Sequence, residues 1–481
     1  MDTILNLINQ FSDFIWTYPM PVLLVSLGIW LTIKFRFKYQ LNFRFNIKNT
    51  YGGLFKKKNA GEQIQGTGSV SSFAAACTAL ANTVGIGSIG SIGGVATAIT
   101  MGGPGAIFWL WFSAFFGIAT KACEIILGQR YRVKYEKSMD EYVCDRSFVM
   151  EHALGWKKGA VALSVCCFML GPWTCLVQSE SATSSIEEAF NVDSYLTLLV
   201  MVIFIASVII GGLKGISSKM ESVVPKLAIT YLTVAVILLV MNYDQILSAF
   251  ALIFKSAFSP AAGVGGFAGA TVMEAIRFGI ARGIYSNDAG TGYGIVAHAA
   301  ATTDHPIRQS SWGFGEVFLT IIICTVTALA ILTTNVWVDY AGITSSRLTT
   351  LAFKVTYGDA GSWFMAIFIT LLACTTTIGM YFTCEKAVNF FFGDTKANKI
   401  AKNLYRVYYL APIVLFTNLQ ADILWALTDI LSAVYVLITM TLILSRRKEI
   451  FRLFNDFWDR YIPAKNAGQD VPPVTYCKRI D

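Results

Sequence analysis

The chain has 481 residues, 55% of them hydrophobic and only 14% charged, a balance that excludes an ordinary soluble enzyme and places it among polytopic membrane proteins. The formal net charge is +8, and the three histidines are too few for a histidine-rich metal site. Ten cysteines lie mainly in apolar stretches without a C-x-x-C pair, as small buried hydrophobes do.

Eleven apolar segments come near or reach the length that crosses a hydrocarbon core about 30 Å thick. They lie near residues 15–33, 70–101, 105–127, 160–186, 195–211, 223–241, 262–295, 312–333, 360–384, 405–420 and 421–444. Asp2 and Asp13, with no basic run before the first segment, argue against a cleavable signal peptide. Thirty of the 38 Lys and Arg fall in loops that an external N-terminus would put inside, and three in loops it would put outside. This bias predicts an outside N-terminus and a cytoplasmic C-terminus. The positive charge then faces anionic lipid, not nucleic acid.

The second segment is interrupted by Asn82-Thr83-Val84-Gly85-Ile86-Gly87-Ser88-Ile89-Gly90-Ser91-Ile92-Gly93-Gly94. Each glycine inside a helix costs roughly 1 kcal/mol against alanine. Lipid tolerates unwound backbone only where protein buries it or it lines a cavity. The stretch therefore predicts a broken helix with backbone groups free to bind something small. It matches G-x-G-x-x-G formally, but a dinucleotide loop needs a βαβ setting that a membrane helix does not provide.

The seventh segment, Ala262–Ile295, is too long for one straight span and is punctuated by Gly263, Gly265, Gly266, Gly269, Gly279 and Gly283. Its midpoint, Phe278-Gly279-Ile280, is the expected second break. Close helix packing through small residues is the competing explanation of these glycines. With segment one set aside, ten segments divide into five and five, each half opening on a broken helix. Five is odd, so the halves enter the membrane from opposite sides and form an inverted repeat, with the site where the broken helices meet. The expected organisation is an extra helix and basic loop (1–69), a first repeat (70–245), a second repeat (246–444) and a cytoplasmic tail (445–481).

Polar residues within the segments are few. Thr375-Thr376-Thr377 offers hydroxyl oxygens to a small hard cation, or bonds its own helix four residues back. Gln178 suits the charged ends of an amino acid, or bridges helices. Glu274 with Arg277, and Lys121 with Glu124, can pair at i, i+3. Arg282, Asp288, His298, Asp304, His305 and Arg308 suggest a cytoplasmic gate, while Asp422 and Asp429 are candidate proton carriers. No nucleophile–base constellation or metal cluster stands out, so neither an enzyme nor a prosthetic group is expected.

Several strings resemble the alanine or glycine:cation symporter family of sodium-coupled carriers. They are Gly102-Gly103-Pro104-Gly105-Ala106-Ile107-Phe108-Trp109-Leu110-Trp111, Ala251 to Pro260 continuing into Val264 to Thr271, Ala281-Arg282-Gly283-Ile284-Tyr285-Ser286-Asn287-Asp288-Ala289-Gly290, and His298 to Pro306. The resemblance spans nearly the whole chain. It implies an all-α, leucine-transporter-like 5+5 inverted repeat of about 11 transmembrane helices with one extra N-terminal helix. It also implies Na⁺-coupled import of a small neutral amino acid across a prokaryotic cell membrane. Carbonyls of Ala81 and Val84 with the hydroxyls of Thr375 and Thr376 would then hold Na⁺. The substrate would meet Thr83, Gly85, Ile86, Gly87 and Ser88 in the first break. Gln178, on the family's V-Q motif, with Phe278, Gly279 and Met380, would complete the pocket. Half-helix N-termini near Gly87 and Ser88 would favour its carboxylate.

The chain departs from the family at Ile86-Gly87-Ser88, where T-G-N is usual, and in an apparent Gly-Ser-Ile insertion. Cys175 and Glu180 replace asparagines, Met380 replaces a tryptophan, and Thr291-Gly292-Tyr293 replaces L-G-S. Proton coupling, a glutamine-type substrate and a non-transporting amino acid sensor are the alternatives these departures suggest. An ion channel lacks a pore-lining charge ring. Nothing in the sequence indicates an oligomeric state.

Overall fold

The computed structural model describes residues 10–11, 14–16, 19–52, 66–85, 91–137, 140–259, 271–415, 421–474 and 478–479. The chain is an all-α membrane protein. Among the described residues six helices are long and apolar enough to cross a bilayer, or seven if the bent pair Ile430–Ser445 and Arg447–Asn466 counts as one. The six coincide with segments one, three, four, six, eight and nine. The expected count of eleven is not reached by length alone, for identifiable reasons. Segments two and seven are divided into short pieces, segment five is the 16-residue helix Ser194–Ile209, and the junction of ten and eleven at 416–420 lies outside the described residues.

The first helix, α1 (Pro19–Lys34), packs along the fourth. Segment two forms α2 (Ser72–Gly85) and α3 (Gly93–Gly102), and segment three forms α4 (Ala106–Tyr131). Segment six is α5 (Gly212–Met241). Segment seven forms α6 (Val272–Asn287) and α7 (Tyr293–Ala299), followed by α8 (Trp312–Thr333). Beyond these lie α9 (Ser345–Tyr357), α10 (Asp359–Phe392) and, after the last span, α11 (Arg447–Asn455).

The pairing of the half-helices is antiparallel. α2 packs on α7 and α3 on α6. The chain entering α2 runs beside the chain leaving α7, with bridges Thr67–Thr303 and Val70–Ala301. The start of one broken helix thus meets the end of the other, as two halves of opposite polarity require.

The second break is not at Phe278-Gly279-Ile280. α6 runs unbroken through them, opened by a capping box between Thr271 and Glu274, so Glu274 closes the helix start. Arg277 lies over the ring of Phe278. The interruption comes at Asp288–Gly292, where Asp288 has φ 52° and Gly290 and Gly292 have φ 104° and 85°. Gly279 and Gly283 serve packing instead. A Cβ at Gly279 would stand 2.3 Å from the Ala106 carbonyl oxygen, and one at Gly283 would stand 2.1 Å from Ser113 Oγ. They form the small-residue groove that lets α6 lie against α4.

Most of the basic loops gather at one end of the bundle. There β1 (Val133–Tyr135) pairs antiparallel with β2 (Glu141–Val143) and parallel with β3 (Lys478–Arg479). The tail folds back as a strap. Glu449 of α11 accepts from Arg130 Nε and Tyr131 OH, each at 2.5 Å, and Phe451 packs against Trp30 and Phe35. Farther on, Lys465 reaches Asp304 at 2.7 Å. His305, buried beneath Phe457 and Tyr461, accepts from the Ile307 amide at Nδ1 and turns Nε2 to Asp456 at 3.3 Å. Burial pulls its pKa down to about 4, against the opposing pull of Asp456.

Two outcomes follow from this packing. Gly279→Val should overpack the α4–α6 seam and cost about 1–3 kcal/mol, read as a lower unfolding temperature in detergent. A histidine whose pKa is lower in the folded state stabilises the docked strap fully above its ordinary value of 6.5, and that contribution is lost as pH falls towards about 4. Proteolysis within 447–466 should therefore accelerate over that interval. His305→Gln should flatten the part of the acid dependence that Asp456 does not supply.

Candidate functional site

The two interruptions converge. Ser91, at the end of the first, and Ser286, two residues before the second begins, both lie against Cys324 of α8. Thr349 of α9 donates to the Ile92 carbonyl at 3.2 Å, a carbonyl that also accepts the Ala96 amide of α3, and so ties α9 to the edge of the first break. Ile86, Gly87 and Ser88 lie outside the described residues. α2 is described as far as Gly85, and Ser91 and Ile92 form a turn directly before α3 begins at Gly93.

α2 and α10 meet through a side chain on one and a glycine on the other. Asn82 lies so close to Gly379 that a Cβ there would stand 2.3 Å from Asn82 Oδ1. Asn82 Nδ2 donates to Thr383 Oγ1 at 3.3 Å, whereas Oδ1 is buried with no hydrogen-bond partner. Ala81 and Thr83 flank it, fully buried, and Thr83 Oγ1 donates to the Ala79 carbonyl at 3.1 Å. Thr375 and Thr376 both donate to the Leu372 carbonyl at 2.9 Å. Those bonds use the hydroxyl protons and leave oxygen lone pairs available to an acceptor-seeking cation. Met380 is buried one residue from Gly379, and the helix Thr174–Phe190, which carries the buried Gln178, packs along α10 as well.

The structure thus brings the end of α2 to Gly379 and Thr383 of α10, the helix that also carries Thr375, Thr376 and Met380. It does not bring Phe278 and Gly279 there: Phe278 touches Gly102, and Gly279 faces Ala106 and Trp109. Asn82 and Asn287 were missed as candidates. Asn287 ends α6, donates to the Gly283 carbonyl at 2.6 Å, and keeps a buried Oδ1 without a partner. The detectable signal was an amide residue at the edge of each glycine-marked break.

The second break is held by buried charge. Lys121 does not pair with Glu124 as the i, i+3 spacing suggests. Its Nζ donates to Asp288 Oδ2 at 2.9 Å and to the Asp288 carbonyl at 3.0 Å, with Glu316 Oε2 at 3.6 Å. Glu124 instead accepts the amides of Gly290 at 2.5 Å and Gly294 at 3.3 Å. Arg146 donates to the Thr291 carbonyl and lies over the rings of Tyr435 and Tyr293. The proposed gate residues divide accordingly: Asp288 and His298 belong to this core network, while Asp304, His305 and Arg308 belong to the strap's docking surface. The side chains of Asp422 and Asp429 lie outside the described residues.

The sequence profile of the sodium:alanine symporter family matches residues 1–470. The chain belongs to that family. Relatives include an uncharacterized transporter, YflA, of Bacillus subtilis, 34% identical over 95% of this chain and 94% of its own length. The sodium/alanine symporter AgcS of Methanococcus maripaludis is 32% identical over 96% and 99%. A probable sodium/glutamine symporter, GlnT, of Bacillus subtilis is 32% identical over 98% and 93%. Among solved structures, a manganese transporter of Eremococcus coleocola is similar at 14% identity and TM-score 0.47, covering 83% of this chain and 81% of that one. Family membership makes the chain an amino acid:cation symporter, a multi-pass membrane transporter and not an enzyme.

In this symporter, Lys121→Met should leave the Asp288 carboxylate buried without its cation. Breaking one partner of such a pair costs about 3–5 kcal/mol. A correspondingly large drop in unfolding temperature of the purified protein checks it; an unchanged value would mean the pair does not hold the break.

Proposed function

We propose that the chain imports a small neutral amino acid, alanine or glycine before glutamine, coupled to Na⁺ and working by alternating access. The observation that carries this reading is the meeting of Asn82, at α2's end, with Gly379 and Thr383 of α10, beside a second broken helix that shares Cys324 with the first break. Na⁺ is held by the carbonyls of Ala81 and Val84 and by Thr375 and Thr376. Neutral oxygen ligands bind it weakly enough for release. The substrate sits at the first break, among Thr83, Gly85, Ile86, Gly87 and Ser88, with Gln178 and Met380 at its sides. Asn82 Oδ1 and Asn287 Oδ1 are further acceptors for its ammonium. Phe278 and Gly279, on the packed face of α6, act through helix placement. The basic end faces the cytoplasm of a prokaryotic cell and the N-terminus faces outward, in keeping with the charge bias. The repeats at 70–245 and 246–444 move against one another around this site.

Binding Na⁺ draws the end of α2 and α10 together and so completes the substrate site, which is how the ion gradient drives uptake. Uptake of labelled alanine, glycine and glutamine into proteoliposomes, with and without an imposed Na⁺ gradient, tests the reading. Gradient-dependent accumulation of one of them is the expected result. Binding with no accumulation under Na⁺ or H⁺ gradients would instead mark an amino acid sensor. Thr376→Ala should raise the half-saturating Na⁺ concentration about three- to tenfold, the scale of one lost polar contact of about 0.5–1.5 kcal/mol. Unchanged Na⁺ dependence would remove Thr376 from the ion site.

A further inference from the structure

A chain of hydrogen bonds behind the second break runs in one direction only. It starts at the indole of Trp312, which can donate but not accept. Trp312 Nε1–H donates to Ser72 Oγ at 3.0 Å, and Ser72 Oγ–H donates to Gln309 Oε1 at 2.7 Å. This orients the Gln309 amide, whose Nε2 then donates to His298 Nδ1 at 2.9 Å. A ring nitrogen that accepts carries no proton, so the His298 proton sits on Nε2. From there it is donated to Glu316 Oε1 at 2.5 Å. This order of donors sets the His298 tautomer for as long as Ser72 stays beside Gln309.

Three buried carboxylates, Glu124, Asp288 and Glu316, surround the one ammonium of Lys121. Five of their six oxygens accept hydrogen bonds. Glu124 takes the Gly290 and Gly294 amides, Asp288 takes Thr291 and Lys121, and Glu316 Oε1 takes His298. The sixth, Glu316 Oε2, is buried and accepts none. Lys121, 3.6 Å away, is turned to Asp288. The other titratable groups facing Glu316 are Cys77 of α2 and Tyr51, neither of them cationic. Arg146 approaches the break from its other side, with Asp145 beside it.

With all three carboxyls ionised, the cluster would hold two more negative charges than positive ones away from water, a state that binding a cation relieves. Lys121 fills the centre of the three acids, and among the described residues no group of three His, Cys, Asp or Glu has the arrangement to hold a metal ion. A proton needs only one free oxygen.

We propose that Glu316 Oε2 is a proton-binding site, loaded and emptied within the transport cycle. Water delivers the proton as hydronium when the basic end opens, an O–H bond forms on Oε2, and the neutral acid leaves Lys121 to Asp288 alone. Deprotonation returns the proton to water and restores the charge. Ser72 stands on α2 and His298 on α7, the two half-helices paired at that end, so their separation breaks the relay and exposes the pair. The cycle, though not the site itself, rests on the symport reading above.

The test uses the purified full-length protein. Difference infrared spectra recorded across the range where carboxylates titrate should show the carbonyl stretch of a protonated carboxylic acid, and Glu316→Gln should remove it. In proteoliposomes, Na⁺-driven uptake should depend on pH in the wild type and lose that dependence in Glu316→Gln. Ser72→Ala leaves the carboxylate in place but frees Gln309 to turn over, so His298 can share the proton and the pH midpoint of uptake should move upward. A band that persists unchanged in Glu316→Gln, or uptake with the same pH profile in the wild type and that variant, overturns the proposal. If Glu316→Gln does not fold, an unmoved midpoint in Ser72→Ala overturns it. An acid band lost in Glu316→Gln from a protein that accumulates no amino acid upholds the site and sinks the symport reading instead.

Discussion

Backbone released from a helix inside a bilayer has no water to bond to, and the construction of this protein follows from how that need is met. At the second break the answer is charge. Glu124 accepts two freed amides, Lys121 donates to the Asp288 carbonyl, and Arg146 donates to the Thr291 carbonyl. Each group would be expensive to bury alone, and each is bonded to backbone that would be equally expensive to leave unpaired. At the first break Thr349 ties α9 to the Ile92 carbonyl with a neutral hydroxyl. The breaks are consequently rigid where buried side chains hold them, and only the groups left over are available to ligands.

Those leftover groups are of two kinds. On α2 and α10 the free atoms are neutral oxygens, Asn82 Oδ1 and the lone pairs of Thr375 and Thr376, and Asn287 Oδ1 at the end of α6 is another, on the side of α1 and α4. Such atoms suit a weakly held cation and the ammonium of a zwitterion. Behind the second break the free atom is a carboxylate oxygen beside a histidine whose tautomer is set from a distance. The neutral site and the charged one are joined through α2, whose start carries Ser72 and whose end carries Asn82. A movement of that half-helix would register at both.

Glycine does three different jobs in this chain, and composition does not tell them apart. Gly279 and Gly283 let α6 touch α4 within a regular helix. Gly290 and Gly292 take left-handed backbone angles that turn the chain between α6 and α7. Gly379 lies in an unbroken helix and makes room for Asn82. Counting glycines placed the second break in the right segment but about ten residues early, because a packing pair and a turning pair look alike in a list of residues. Geometry separates them: only Gly290 and Gly292, and not Gly279 and Gly283, have positive φ.

By itself the sequence determined what depends on composition and on short, locally read patterns. The membrane class follows from apolar length, the charge bias from counting Lys and Arg, the existence of a first break from the run Gly85 to Gly94, and the family from strings such as Ala281 to Gly290. Only the tertiary structure decided which charges meet. Lys121 was expected to pair with Glu124 one helical turn away, yet it pairs with Asp288, distant in sequence, because packing α4 against the second break makes the Asp288 carboxylate and carbonyl better partners. Likewise the segment expected as a cytoplasmic tail is docked through Glu449, Phe451 and Lys465. Contacts between distant residues are set by how helices pack, and no local pattern encodes that.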